Sequence, residues 1–334
     1  MMLQYKKCFL AVTVGFALGA ATAPAFSADP MVIGFSQAAS NSAHRNTMTK
    51  LNQSYAKSNF KDAKLIVTNA EGKSAKQISD IESLLVQGMK VLMISAQDST
   101  AIAPTIKQVM AAGIPVVTLE RSVDTPVTLH IGPHNKPIGK LAGEFIAKKL
   151  NGKGNVIEIK GDPAAAPAVE RHDGFAEAIA GKSIKVIAET HADWDQEKAL
   201  KFMEDTLQRF GPGQIQAIYA HNDNMAFGAL RAIQAAGRAK EGIMIIGIDG
   251  ENGAIRAVAK GDLTATFTYS TVAPEGVIAA HALATKNLDE LNKLGKMTKK
   301  SDGSMEIEIA SNMITKENAA QFFCKGFGDD PECK

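Results

Sequence analysis

Six places along the 334-residue chain put ionisable, amide or aromatic side chains just after a short apolar run or at the mouth of a helical pattern. They are Glu120-Arg121, Arg171, Trp194, His221-Asn222-Asp223, Asp249-Gly250 and Tyr269. Carboxylates and guanidinium groups each form several hydrogen bonds, and bonds to charged groups are the strong ones, about 1.5–3 kcal/mol each. An aromatic ring adds a flat apolar face. Together these groups suit a compact ligand whose hydroxyls point in fixed directions around a ring. Such a site discriminates, because a polar group left unpaired in a dry cleft is costly. Plainer roles compete at each position. They are pairing of Arg121 with Glu120 or Asp124, a surface place for Arg171 beside Glu170, and a simple turn at Asp249-Gly250. Asn222 or Asp223 suits a helix cap, Trp194 the core, and Tyr269 a hinge packing role. Recurrence at one structural position favours the shared site over six separate coincidences.

That position is defined by an alternation of short β-rich runs and longer helical patterns. Strands are predicted at 31–35, 64–68, 91–94, 114–119, 156–159, 184–188, 217–219, 243–248 and 263–269. Helices are predicted at 47–58, 74–87, 102–112, 170–180, 196–210, 225–236, 253–259 and 274–291. In the second of these helices Ile78, Ile81, Leu84 and Leu85 share one face, and Gly88 stops it. Several strands are apolar at consecutive positions, as in a parallel sheet covered by helices on both faces. The fold class expected is α/β, with two Rossmann-like doubly wound parallel sheets in tandem. Loop sites in such sheets gather at the carboxyl ends of the strands. The chain is expected to cross between lobes near 131–133, 268–270 and 299–304. The first lobe then comprises 29–132 plus 269–300, and the second 133–268 plus 301–334.

The N-terminus reads as a secretory leader over 1–28. Lys6 and Lys7 precede an apolar run from Cys8 to Ala21, too short for a membrane span of about 20 residues. Small-residue cleavage sites follow at 23–25 or 26–28. Removing the leader takes two lysines and no acid from 37 basic and 35 acidic residues, leaving a neutral balance with no call for nucleic acid or an anionic membrane. Two cysteines remain, Cys324 and Cys333. In an oxidising compartment they suit a disulfide that closes the tail, contributing about 2–3 kcal/mol on chain-entropy grounds; a two-thiol metal site is the weaker alternative.

Phosphate-binding and dinucleotide-binding glycine loops are absent from the sequence, as are the nucleophile elbow and the zinc-protease motif. His130 and His134 stand four apart on a strand-to-loop stretch, where that spacing does not align them for a metal. Glu120 and Asp249 could be cast as the paired carboxylates of a glycosidase, but their arginine and turn contexts are expected to keep both ionised.

Five segments, in order, resemble the type I periplasmic sugar-binding proteins, particularly the ribose- and galactofuranose-binding receptors. They are Val-Ile-Gly-Phe-Ser-Gln (32–37), Ile-Pro-Val-Val-Thr-Leu-Glu-Arg-Ser-Val-Asp (114–124) and Val-Glu-Arg-His-Asp-Gly-Phe (169–175), then Tyr-Ala-His-Asn-Asp-Asn-Met-Ala-Phe-Gly-Ala (219–229) and Ile-Gly-Ile-Asp-Gly (246–250). The resemblance spans roughly 31–315. It implies two lobes joined by three hinge strands with an aldose between them. Asn41-Ser42-Ala43-His44-Arg45 after Gly-Phe-Ser-Gln favours the galactofuranose branch, where an arginine at the Arg45 position contacts the sugar. Family ligand positions fall on Glu120, Arg121, Arg171, Asn222 and Asp249, with Trp194 as the stacking aromatic. The full candidate set is Gln37, Asn41, Arg45, Ser95, Glu120, Arg121, Arg171, Trp194, Asn222, Asp249 and Tyr269. The chain departs from the family at Glu120, where aspartate is usual, at His44, where galactofuranose receptors carry tryptophan, and at Pro133. Its Cys324–Cys333 tail lies outside the common pattern.

These readings lead to a monomeric periplasmic receptor, not an enzyme, with no cofactor. It would capture a monosaccharide, an aldopentose or aldohexose with the furanose form among the candidates, by hinge closure. It would then hand the sugar to the permease of an ABC transporter in the inner membrane. The competing readings are a sugar sensor serving chemotaxis or a sensor kinase, and a periplasmic sugar-acting enzyme.

Overall fold

A computed structural model of the chain describes residues 30–328 and 330–333. The leader expected at 1–28 lies outside the described residues. In chain order the elements begin β1 (Met31–Gln37), α1 (Ala43–Asn59), β2 (Ala63–Asn69), α2 (Ser74–Val86), β3 (Val91–Ile94), α3 (Ala103–Ala111), β4 (Val116–Leu119) and β5 (Leu129–Gly132). Next come α4 (Asn135–Lys149), β6 (Lys153–Lys160), α5 (Ala166–Ile179), β7 (Ser183–His191), α6 (Gln196–Arg209), β8 (Ala217–Ala220), α7 (Asp223–Ala235), β9 (Met244–Ile246), α8 (Asn252–Lys260) and β10 (Ala265–Phe267). The series ends with α9 (Glu275–Thr285), α10 (Leu288–Asn292), β11 (Met297–Lys299), β12 (Met305–Glu308) and β13 (Met313–Thr315).

The strands form two sheets, ordered β11-β12-β5-β4-β3-β1-β2 and β13-β10-β9-β8-β6-β7. Pairing is parallel except at one edge of each, where β11 runs against β12 and β13 against β10. The consecutive apolar runs explain the arrangement. Every residue of β3 and β4 is buried. Alternate residues serve opposite cores: Met93, Val117 and Leu119 face one cluster, and Leu92, Ile94 and Val116 another. The second sheet divides likewise, with Ile157, Ile159 and Ile218 on one face and Val156, Tyr219 and Ile246 on the other. The predicted fold class of two doubly wound lobes therefore holds.

Four features differ from the sequence reading. Strand β12 pairs with β5, so residues 305–308 belong to the first sheet, not to the second lobe. The third crossing accordingly lies at 309–312, between β12 and β13, instead of 299–304. The long helix expected over 274–291 is broken where Lys286 takes a left-handed conformation, giving α9 and α10. Helix α4 and the short strands β5, β11, β12 and β13 were not predicted. The α4 pattern is diluted by Gly139 and Gly143, and β5, β11, β12 and β13 mix their apolar residues with polar ones or glycine, so they lack the unbroken apolar run that marks β3 and β8.

Candidate functional site

The first lobe contributes a wall built on charge pairing. Ser42 caps α1 by accepting from the Arg45 amide at 3.3 Å. This places Arg45 in the first helical turn, with its Nη1 2.5 Å from both Ser95 Oγ and Glu120 Oε1 and 3.5 Å from Gln37 Oε1. Glu120 sits just beyond β4 with φ 54°, a backbone region unusual for a residue with a side chain. Gly132 on β5 makes room for it, since a Cβ there would come 2.7 Å from the Glu120 Cα. Ser95 Oγ donates to Glu120 Oε1 at 2.9 Å and Tyr269 Oη to Oε2 at 3.0 Å. Burial alone raises the Glu120 carboxyl, but Arg45, then Arg121 and His44, outweigh it and bring it to about 2. Arg121 donates to the Ala96 carbonyl at 2.9 Å and lies 3.6 Å from Glu120. Burial, then Arg45, lowers Arg121 to about 10.

The second lobe builds its wall on close helix packing. A Cβ on Gly139 would overlap the Arg171 carbonyl, and one on Gly174 the Lys136 carbonyl, so α4 and α5 touch backbone to backbone. That approach fixes Arg171, whose Nε donates to Asn135 Oδ1 at 3.0 Å and whose Nη1 donates to the His221 carbonyl. Its guanidinium lies 4.5 Å from the Tyr269 ring centroid and 5.7 Å from that of Trp194, while Arg121 approaches Trp194 from the first lobe at 5.6 Å. One indole is thus flanked by a cation from each lobe. Asp193 and Trp194 both have positive φ, 52° and 67°. Gly161 lies under the ring, where any Cβ would overlap the indole.

Asn222 lines the cavity and also caps α7, accepting from the Met225 amide at 2.9 Å and donating to the Trp194 carbonyl at 3.3 Å. Asp223 has a different task, accepting from Thr266 Oγ1 at 2.7 Å and the Glu251 amide at 3.0 Å. Asp249 follows β9 with φ 135°. Burial pushes its carboxyl well above the usual carboxylate range; Arg171 opposes this and Asp223 adds to it. Burial likewise raises Asp223 to about 6 and, with Asp223 adding, Glu251 to about 8. The expectation that neither Glu120 nor Asp249 is raised is therefore corrected: the two carboxyls shift in opposite directions, because only Glu120 has an arginine in direct contact.

Beneath this wall, His221 Nδ1 accepts from the Gly161 amide at 3.4 Å and its Nε2 donates to buried Glu158 at 3.1 Å. Burial lowers His221 to about 4, which leaves the ring neutral. Glu158, His172 and Glu189 bring donor atoms within 4.8 Å of one another, a spacing compatible with a metal. Each of these groups already has a partner: His172 Nδ1 lies 3.0 Å from Glu158, and Lys160 Nζ 2.9 Å from Glu189. His130 and His134 go separate ways, to Thr118 at 2.8 Å and Glu306 at 3.2 Å.

The two walls enclose a cavity of about 40 Å³. Nine of the eleven candidates line it: Asn41, Arg45, Glu120, Arg121, Arg171, Trp194, Asn222, Asp249 and Tyr269. Gln37 and Ser95 stand behind, where they hold Arg45 and Glu120. Arg121 does not meet Asp124, which bonds Ser99 and Thr100 instead. Ser42, His44 and Pro167 line the cavity and were not among the candidates. His44 was within reach of sequence reasoning as the neighbour of Arg45. Pro167 carried no such signal. Two buried donors on the walls, Arg121 Nε and Trp194 Nε1, have no hydrogen-bond partner among the described residues.

Comparison with known proteins follows the same geometry. Residues 33–289 match the family described as periplasmic binding protein domain. The ribose import binding protein of Bacillus subtilis is 37% identical over 246 residues, covering 73% of this chain and 77% of its own. The galactofuranose-binding protein of Escherichia coli is 33% identical over 258 residues, 75% of this chain and 80% of its own. A solved ABC transporter solute-binding protein from Mycobacterium smegmatis, with bound glycerol, superposes with a TM-score of 0.77 at 28% identity, covering 90% of this chain and 98% of that one.

Proposed function

Since the chain belongs to the periplasmic binding protein domain family, we propose that it is an exported receptor that closes around one monosaccharide and delivers it to the permease of an ABC importer. Members of this family are binding proteins, and the relatives above bind ribose or galactofuranose. The observation that carries the reading is the cavity itself. Three arginines and two carboxylates from two separate lobes converge on it, and among the described residues none hydrogen-bonds the Asp249 carboxyl.

A sugar hydroxyl both donates and accepts, so a ring of hydroxyls can serve Asp249 and the arginine donors together. The apolar face of the sugar has Trp194 to lie against. Contacts to both walls exist only when the lobes are together, and that difference is what lets a ligand drive closure. Micromolar affinity requires about 8 kcal/mol, within the reach of a few charge-assisted hydrogen bonds and one stacked ring. Bond cleavage fits less well. Glu120 has both carboxylate oxygens bonded, to Arg45, Ser95 and Tyr269, and is not free to attack a substrate.

The test is a panel of D-ribose, methyl β-D-galactofuranoside, L-arabinose, xylitol and myo-inositol, read by tryptophan emission. Trp194 is the only tryptophan, so the signal comes from the cavity wall. We expect one compound, or one close group, to shift the emission at micromolar concentration without being consumed. Silence across the panel in both emission and calorimetry defeats the reading. Tight calorimetric binding with unchanged emission removes Trp194 from the ligand.

A further inference from the structure

The C-terminal tail lies beyond the stretch that matches the family, and its contacts are divided between the lobes. Its root is in the second lobe, where Phe322 and Phe323 pack on that lobe's core. Cys324 and Cys333 are joined in a disulfide nine residues apart. Arg256 of α8 holds Asp330 at 2.9 Å and Glu332 at 3.0 Å. The Asn252 amide donates to the Phe327 carbonyl at 2.8 Å. Gly326 passes so close behind Asp249-Gly250 that a Cβ on it would overlap the Gly250 carbonyl. All of these anchors belong to one lobe.

The tip of the tail reaches the other. The Phe327 ring stands edge-on to the ring of His44, in α1 of the first lobe, with centroids 5.3 Å apart. His44 lines the ligand cavity. Its other contacts are the Ser270 carbonyl at 3.1 Å, on the second crossing, and the Tyr269 ring at 5.4 Å. One side chain of the cavity wall therefore touches the first lobe's helix, the hinge and the second lobe's tail at once. Hinge motion that parts the lobes must separate Phe327 from His44, because Phe327 is fixed to one lobe and His44 to the other.

We propose that the disulfide-closed tail is a strap between the lobes, with Phe327 as a positioning residue that holds His44 against the ligand cavity in the closed form. The inference rests on the ligand reading of the cavity. The strap favours closure and slows ligand escape. An aromatic edge contact of this kind corresponds to a change of about two- to ten-fold in an equilibrium. The disulfide keeps the tip in place, since an untethered terminal segment frays readily.

The experiment uses the full oxidised chain in four forms: unaltered, Phe327→Ala, Phe327→Tyr, and Cys324→Ser with Cys333→Ser. Spin labels on exposed Val86 in the first lobe and exposed Glu204 in the second report the interlobe distance without sugar. Stopped-flow Trp194 emission reports dissociation of whichever panel compound the unaltered protein binds most tightly. We expect Phe327→Ala and the serine pair to lengthen the mean distance and to speed dissociation about five-fold. Phe327→Tyr, which keeps the ring, should stay within about two-fold of the unaltered protein. Unchanged distances and dissociation in Phe327→Ala overturn the strap, and a lowered melting temperature alone reduces the tail to a cap on the second lobe. If no panel compound binds, the ligand reading fails, while the strap is still decided by the label distances.

Discussion

The two walls of the cavity solve the same problem in opposite ways. On the first lobe, Glu120 is buried with Arg45 in contact and Ser95 and Tyr269 filling its remaining positions, and its carboxyl is pulled down to about 2. On the second, Asp249 is buried beside Asp223 and Glu251, with only Arg171 opposing them, and its carboxyl is pushed up. A buried carboxylate that is fully partnered is a rigid part of the scaffold; one without partners is poised to accept them from a ligand. Three of the cavity residues, Glu120, Trp194 and Asp249, also hold positive φ, a strain that persists where surrounding structure enforces it. The comparison teaches that the first wall is set before a ligand arrives, and that the second is completed by it.

The strongest attack on this contrast is Arg45→Ala. It leaves the buried Glu120 charge without its main partner, and such losses cost about 3–5 kcal/mol. Urea unfolding should show that drop, and adding Glu120→Gln should restore part of it. A loss below about 1 kcal/mol, the size of an exposed pair, would mean that the first wall is not a preformed network.

Next is Arg171→Ala, which removes the second wall's one cation. Affinity for the preferred panel compound should fall about 10–100-fold by calorimetry, the equivalent of one or two charge-assisted hydrogen bonds. Near-native affinity takes Arg171 out of the site.

The opposite carboxyl shifts give opposite pH dependences, with the sign set by linkage. Glu120 is lowered from 4.5 to about 2, so its contribution is complete above 4.5 and is lost as pH falls toward 2. Asp249 is raised above 3.8, so the sugar-free fold is favoured at low pH and loses stability as pH rises from 3.8 through the raised value. Melting temperatures between pH 3 and 8 should therefore lose part of their acid-side fall in Glu120→Gln, the remainder being due to Glu158 and to the buried histidines His44, His130 and His221. In Asp249→Asn they should lose part of the decline on the alkaline side, the remainder being due to Asp223 and Glu251. Profiles that change in the same direction in both variants would contradict the contrast.

The smallest expected effect belongs to Gly161→Ala. The added methyl must displace the Trp194 indole, and loss of stacking should weaken binding about two- to ten-fold. Trp194 emission in the sugar-free protein should shift at the same time; an unshifted spectrum shows that the ring has another support.

Much of this was legible before any coordinates. Glu120-Arg121 and Asp249-Gly250 follow apolar runs that could only be buried strands, and strands of a doubly wound sheet open their loops at one end. Arg171 and Trp194 were placed at the starts of helical patterns; Trp194 does precede α6, whereas α5 begins at Ala166 and carries Arg171 in its second turn. His44 was marked only as a departure from the galactofuranose receptors and not as a site residue, because its role depends on Ser270 and Phe327, 226 and 283 positions later. Strand β12 escaped because four residues after a turn resemble any loop. It is a strand only because β5 offers it an edge.

The order of strands and helices, the doubling of the unit and the set of polar side chains at strand ends are local properties. Backbone sterics and hydrophobic periodicity within a dozen residues determine them, so the amino-acid sequence alone was enough for the main alternation, though not for α4 or the edge strands, whose pattern is weaker. Which carboxyl is paired and which is open was decided by the tertiary structure. That outcome turns on a 2.5 Å contact between Arg45 and Glu120, 75 positions apart, and on burial that magnifies the presence or absence of a single neighbouring charge.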